Sequence, residues 1–194
     1  MTIVGALLDL EKYMRQTNKG NELQMEETLQ SLSGNGGGSW RLVFTTGTIN
    51  TQKRQGRINY FPIKATQSFQ QQQQSNENDD PWLIENGLYI GDFPLIKFKG
   101  DFTWMASSKS GVTKLEFDFT SLVLLGFLEI QLKAGEAASL GAKSGLGSES
   151  NVVNEKKGKR PFFNWISADD TIATARGGGG GLALWKRVEY EGGK

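Results

Sequence analysis

Apolar residues Ile3, Leu7, Leu8, Leu10 and Met14 recur at spacings of three and four, which predicts an amphipathic helix from Ile3 to Thr17. Asn18, Lys19 and Gly20 break it. A second short helix is expected from Asn21 to Leu32, with Asn21 as N-cap and Leu23, Leu29 and Leu32 on the buried side. The linker Ser33 to Ser39, mostly Gly, follows. Past Gly38 the helical repeat gives way to the alternation of a strand. Trp40, Leu42 and Phe44 alternate with Arg41, Val43 and Thr45. Arg57 to Ile63 reads as a strand ending near Pro62, Ala65 to Gln72 as its neighbour, and Trp82 to Ile90 as another strand. Gln70 to Asp80 is polar and of low complexity and reads as a long hairpin loop.

The clearest alternation begins at Ile96. Ile96, Phe98, Phe102 and Trp104 share one face, and Lys97, Lys99, Asp101 and Thr103 the other. Leu115, Phe117 and Phe119 then oppose Lys114, Glu116, Asp118 and Thr120. Leu128 to Lys133 fits neither period. Ala134 to Arg160, rich in Gly, Ser and Lys, reads as a disordered insertion. Phe162 to Ser167, Thr171 to Ala175 and Gly181 to Val188 supply three closing strands. Evenly spaced short strands of this kind build a sandwich or a barrel. One aromatic face and one charged face per strand favour a barrel with an apolar inside. The fold class is therefore mainly β: a single antiparallel barrel of about eight or nine strands behind one or two N-terminal helices. The helical lead-in covers residues 1–33 and the barrel 38–190, with mobile insertions at 70–80 and 134–160.

Composition narrows the chemistry. The 194 residues fit one domain, and the absence of both Cys and His removes thiolate nucleophiles, His-based triads and His-ligated zinc. No metal site is expected. Twenty-two Lys and Arg against 21 Asp and Glu leave no field to capture nucleic acid. Gly34 to Gly38 and Gly177 to Gly181 lack the Lys-Ser/Thr of a phosphate loop and read as turns. No stretch approaches the roughly 20 apolar residues of a membrane helix, and the N-terminus does not read as a secretory signal or transit presequence.

Three groups of residues are candidates for function. Trp40, Leu42, Phe44, Tyr60, Phe98, Phe102, Trp104, Phe117, Phe119 and Leu184 are expected in the barrel interior, where they either fill the core or line an apolar pocket. Asp169, Asp170 and Arg176 suit either a polar ligand group or a salt-bridged turn. Leu122, Leu124, Leu125, Phe127 and Leu128 form an apolar run, and Lys156, Lys157, Lys159 and Arg160 a basic one. Together they suit a membrane or partner contact, while a buried strand and a solvated loop are the plainer readings.

The opening Gly38-Ser39-Trp40 resembles that of lipocalins and the wider calycin barrels. There the Trp closes the barrel floor and a basic residue of the last strand packs over its ring; Arg187, or else Lys186, would do so here. The longer stretch Ser39 to Gly47 resembles the plastid lipid-associated proteins, or plastid fibrillins. Their closing motif is matched by Ile166 to Asp170, then Arg176-Gly177, then Gly181 to Arg187, and their lead-in by Ala6 to Leu10. Ala173 stands where that motif has its first Arg, and the Gln tract and the 134–160 insertion depart from common plant members.

The resemblance implies a non-enzymatic plastid protein at the thylakoid or plastoglobule surface. Its ligand would be a non-covalently bound lipid, carotenoid, chlorophyll or quinone. An alternative is a peripheral scaffold subunit of a photosystem–antenna complex with a filled barrel. A weaker one is a tetrapyrrole lyase or chaperone that meets propionates with Asp169, Asp170 and Arg176.

Overall fold

A computed structural model of the chain describes residues 2–34, 38–47, 62–71, 82–133, 136–143 and 159–188. Residues 57–61 of the strand expected from Arg57 to Ile63, the candidate Tyr60, the loop 72–80, and Lys156 and Lys157 lie outside the described residues, and Ile63 opens a strand of its own described below.

Helix α1 (Ile3–Thr17) starts where the Thr2 hydroxyl accepts the Gly5 N–H at 3.1 Å. Helix α2 (Glu22–Ser33) starts where the Asn21 side chain accepts the Gln24 N–H at 3.2 Å. Each side chain satisfies an N–H that the helix cannot pair internally. Helix α2 buries Met25, Leu29 and Leu32, spaced by four and three. Leu23, expected on that face, is 78% exposed because helical phase sets it on the opposite side from Met25.

Nine antiparallel strands follow among the described residues: β1 (Gly38–Thr45), β2 (Ile63–Gln71), β3 (Trp82–Ile90), β4 (Phe93–Ser107), β5 (Val112–Leu124), β6 (Leu128–Gln131), β7 (Phe162–Ala168), β8 (Ile172–Gly177) and β9 (Leu182–Arg187). Their order is β4-β3-β2-β1-β9-β8-β7-β5-β6, and β4 also pairs with β5, so the sheet closes in a ring. Strand β5 serves both sides of the closure. Residues 113–116 face β7, and residues 121–124 face β6, which folds back as a short hairpin arm. Gln70 and Gln71 belong to β2, as the strand expected from Ala65 to Gln72 has it, and not to the loop expected from Gln70. Within 134–160, read as a disordered insertion, the residues Glu136–Lys143 form helix α3.

The ring interior is packed with rings. Phe69 meets Phe102 and Trp165 edge-on at 5.8 and 5.5 Å. Trp165 lies 5.1 Å from Trp185, and Phe163 stacks on Phe117 at 5.3 Å. Such edge-on and offset contacts suit the ring quadrupole. Phe102, Phe117, Trp40, Trp104, Phe119 and Leu42 belong to this cluster, in line with the alternation. Phe98 packs at its margin with Leu122, Ile96, Leu124 and Ala137 of α3.

Phe44 and Leu184 are corrections. They form a cross-strand pair in a second cluster with Leu7, Ile166 and Leu182, against the apolar face of α1. An irregularity in the β1–β9 register between Leu42 and Phe44 breaks the alternation that links Phe44 to Trp40 and Leu42. On β9 the interior positions fall to Ala183 and Trp185. Leu122 is also buried, at 9% exposure, so it is not a surface contact.

Helix α1 is held by charge as well as by apolar area. Arg176 Nε donates to both Glu11 oxygens at 2.9 and 3.1 Å, its Nη2 joins them, and Arg15 reaches Glu11 at 3.0 Å. The bond from Arg176 holds the Glu11 carboxyl below its ordinary range despite burial, which pushes the other way. The stability from this pairing is present above the ordinary glutamate range and is lost as pH falls through the lowered folded-state value. Glu11→Gln is therefore expected to cost about 2 kcal/mol at neutral pH. It should also flatten the acid side of a plot of melting temperature against pH.

Candidate functional site

The two ends of the ring interior differ. At one end α2 is its stopper. The Trp40 indole N–H donates to the Leu32 carbonyl at 2.8 Å, and an Arg187 Nη2 N–H donates to the Ser31 carbonyl. Both acceptors belong to the last turn of α2, where carbonyls have no partner within the helix and carry partial negative charge. The Arg187 guanidinium also lies 4.6 Å from the Trp40 ring centre, the packing expected of the barrel floor. A Cβ on Gly38 would stand 1.8 Å from the Leu32 oxygen, so this close approach requires glycine. Trp40, Phe69, Leu115 and Leu32 are fully buried here.

Toward the other end the interior wall loosens. Ala65, Leu88, Ile96 and Leu124 follow one another in register across β2, β3, β4 and β5, and all are half-buried. The neighbouring row runs Trp40, Gln67, Asn86, Phe98 and Leu122. Gln67 is 3% exposed. Its Oε1, and the Oδ1 of its cross-strand neighbour Asn86, are buried without a hydrogen-bond partner. An unpaired buried amide oxygen costs about 1–3 kcal/mol. Three donors in the same closed sheet, the indole N–H groups of Trp104 and Trp165 and the Nε–H of Arg187, are also buried and unpaired. Sequence reasoning missed Gln67 and Asn86. The signal was there: Gln67 is in phase with Ala65 and Phe69, and Asn86 with Ile84 and Leu88, so each is a polar residue in an apolar alternation.

The acid–base candidates are not gathered into a site. Asp169 Oδ1 accepts the N–H groups of Thr171 and Ile172 at 2.7 and 2.8 Å and shapes the β7–β8 turn. Burial pushes its carboxyl up, but those backbone donors outweigh this and hold it low. Arg176 is taken by Glu11 and by the Gly180 carbonyl. Asp170 is exposed. Among the described residues no three His, Cys, Asp or Glu side chains gather as a metal site.

The apolar run divides at the β5–β6 turn. Leu122 and Leu124 point with the interior cluster, whereas Leu125, Phe127 and Leu128 are 48, 80 and 51% exposed. The Leu125 N–H donates to the Leu95 carbonyl at 2.9 Å, which brings this turn beside exposed Phe93 at the start of β4. Of the basic candidates that are described, Lys159 is exposed and Arg160 pairs with Asp101 at 3.2 Å. No described helix is long and apolar enough to cross a membrane.

No family model, curated protein or solved structure matches the chain.

The turn itself is strained. Leu125 and Gly126, in the three-residue loop between the paired Leu124 and Leu128, both have positive φ, 53° and 82°. Asn or Gly is the usual residue in that region, and leucine is costly there. Leu125→Asn is expected to stabilise the fold by about 1 kcal/mol, read as a higher urea midpoint at unchanged slope.

Proposed function

We propose that the chain is a non-enzymatic protein that holds a hydrophobic ligand within its closed sheet, at a membrane surface. The observation that carries this reading is the contrast between the two interior ends. The α2 end is sealed and filled with rings, while the row Ala65, Leu88, Ile96 and Leu124 keeps apolar surface only half-buried. Transfer of an apolar molecule onto such a wall gains about 25 cal/mol per Å² removed from water and needs no catalytic group. The exposed tip residues Leu125, Phe127 and Leu128 supply the membrane contact, because apolar side chains of that size gain by leaving water. The resemblance of both chain ends to plastid lipid-associated proteins favours a thylakoid or plastoglobule surface. It also favours a lipid, carotenoid, chlorophyll or quinone as ligand.

One observation favours a second reading, a scaffold subunit of a photosystem–antenna complex. The aromatic cluster already fills much of the interior, and the exposed tip would then dock on protein. In a native gel of mildly solubilised photosynthetic membranes, migration with a photosystem or antenna band supports the scaffold. Migration near 21 kDa, the mass of the chain, supports the carrier.

For the carrier, protein incubated with a thylakoid lipid extract, repurified and extracted with organic solvent is expected to release an apolar molecule on mass spectrometry. Ile96→Trp, which fills the half-buried wall, should lower retention about tenfold, near 1.4 kcal/mol. Lipid-free wild-type protein would sink the reading.

A further inference from the structure

We infer that Gln67 and Asn86 form a recognition point for a neutral hydrogen-bond donor. The interior then selects an apolar molecule bearing a hydroxyl group over one of equal size that lacks a donor. This rests on the hydrophobic-ligand reading above and adds a chemical class to it: a long-chain alcohol or a hydroxylated isoprenoid.

Three observations carry the inference. First, the two amides are register partners on adjacent antiparallel strands, so their side chains leave the sheet side by side on the same face. Second, both oxygens are buried and neither has a partner, although Gln67 is 97% removed from solvent and buried amides are nearly always paired. Third, the flanking rows offer no donor to them, and the unpaired Nε–H of Arg187 in their own row stands beyond Trp40. Phe69 and Ile84 lie on one side and Ala65 and Leu88 on the other, all apolar. Two acceptors set in an apolar wall match an O–H that arrives on an apolar body.

The charge of the site excludes a cationic donor. The same register row runs from the amides through Trp40 to Arg187, whose guanidinium lies on the indole ring. A second positive charge brought beside it into an apolar interior would be repelled and poorly solvated. A hydroxyl carries a donor without that cost. An unsubstituted carotene has no donor and leaves both oxygens unpaired.

Matched probes test this. Retinol and retinyl methyl ether share one polyene and differ in the O–H. Both report binding by quenching the emission of the chain's five tryptophans. Titration of the full chain is expected to show retinol binding at least about tenfold tighter, since sites built for a hydroxyl reject the analogue without it. In Gln67→Leu/Asn86→Leu the preference should fall to about onefold, with the ether bound at least as well as before. Gln67→Met alone, a milder change of similar length, should lose part of it. Equal affinity of wild-type protein for the two probes overturns the hydroxyl inference and leaves the hydrophobic-ligand reading standing. Failure of both probes overturns both. A preference that survives the double substitution places the donor contact elsewhere and overturns the role of the two amides.

Discussion

The architecture depends on one strand serving two neighbours. Strand β5 pairs along its length with β4 and, through its first residues, with β7, and this double pairing turns a row of strands into a ring. Closure pairs β4 with β5, leaves β6 as a short arm at the rim, and creates an inside that must be filled. Phe69, Phe102, Phe117, Phe163, Trp165 and Trp185 fill it as a continuous set of ring contacts. The closed sheet then needs a stopper. Helix α2 supplies it because Trp40 and Arg187 satisfy the carbonyls of its last turn. Closure, filling and capping are therefore successive consequences of one pairing pattern.

Polar groups mark where this logic is completed and where it is left open. Glu11 and Arg176 pair with each other and join α1 to the outside of the ring, and Asp169 uses Oδ1 to shape the β7–β8 turn. These contacts are structural. Gln67 and Asn86 are the opposite case, buried acceptors without partners inside the ring. The strained, exposed Leu125 is a third kind of feature, because it serves neither core nor turn. Local costs that the fold does not use are the places where binding is to be sought.

Much of the fold was legible in the chain. Helix α1 has the bounds its apolar spacing indicates, and Asn21 caps α2 as a short polar side chain there should. The alternations from Ile96 and Leu115 put Phe102, Trp104, Phe117 and Phe119 inside. Legibility failed at register irregularities. Phe44 has the phase of Trp40 and Leu42, yet a shift of register places it under α1. Leu184 was misplaced for a related reason: either face of β9 is apolar, since one meets the ring interior and the other meets α1. The site was less legible than the fold. A Gln or Asn in a strand is unremarkable until its neighbours show that it is buried and unpaired.

By itself, the sequence determined periodicities, turns and caps, because these depend on residues a few positions apart. It also excluded thiol and imidazole chemistry, because composition does not depend on folding. Only the tertiary structure decided which strand closes the ring, which end α2 seals, that Arg176 meets Glu11, and that two amides stand side by side in an apolar wall. Those outcomes join residues far apart in the chain: 165 positions separate Glu11 from Arg176. Pairings across such distances are chosen by competition for burial and hydrogen bonds over the whole molecule, which no local pattern encodes.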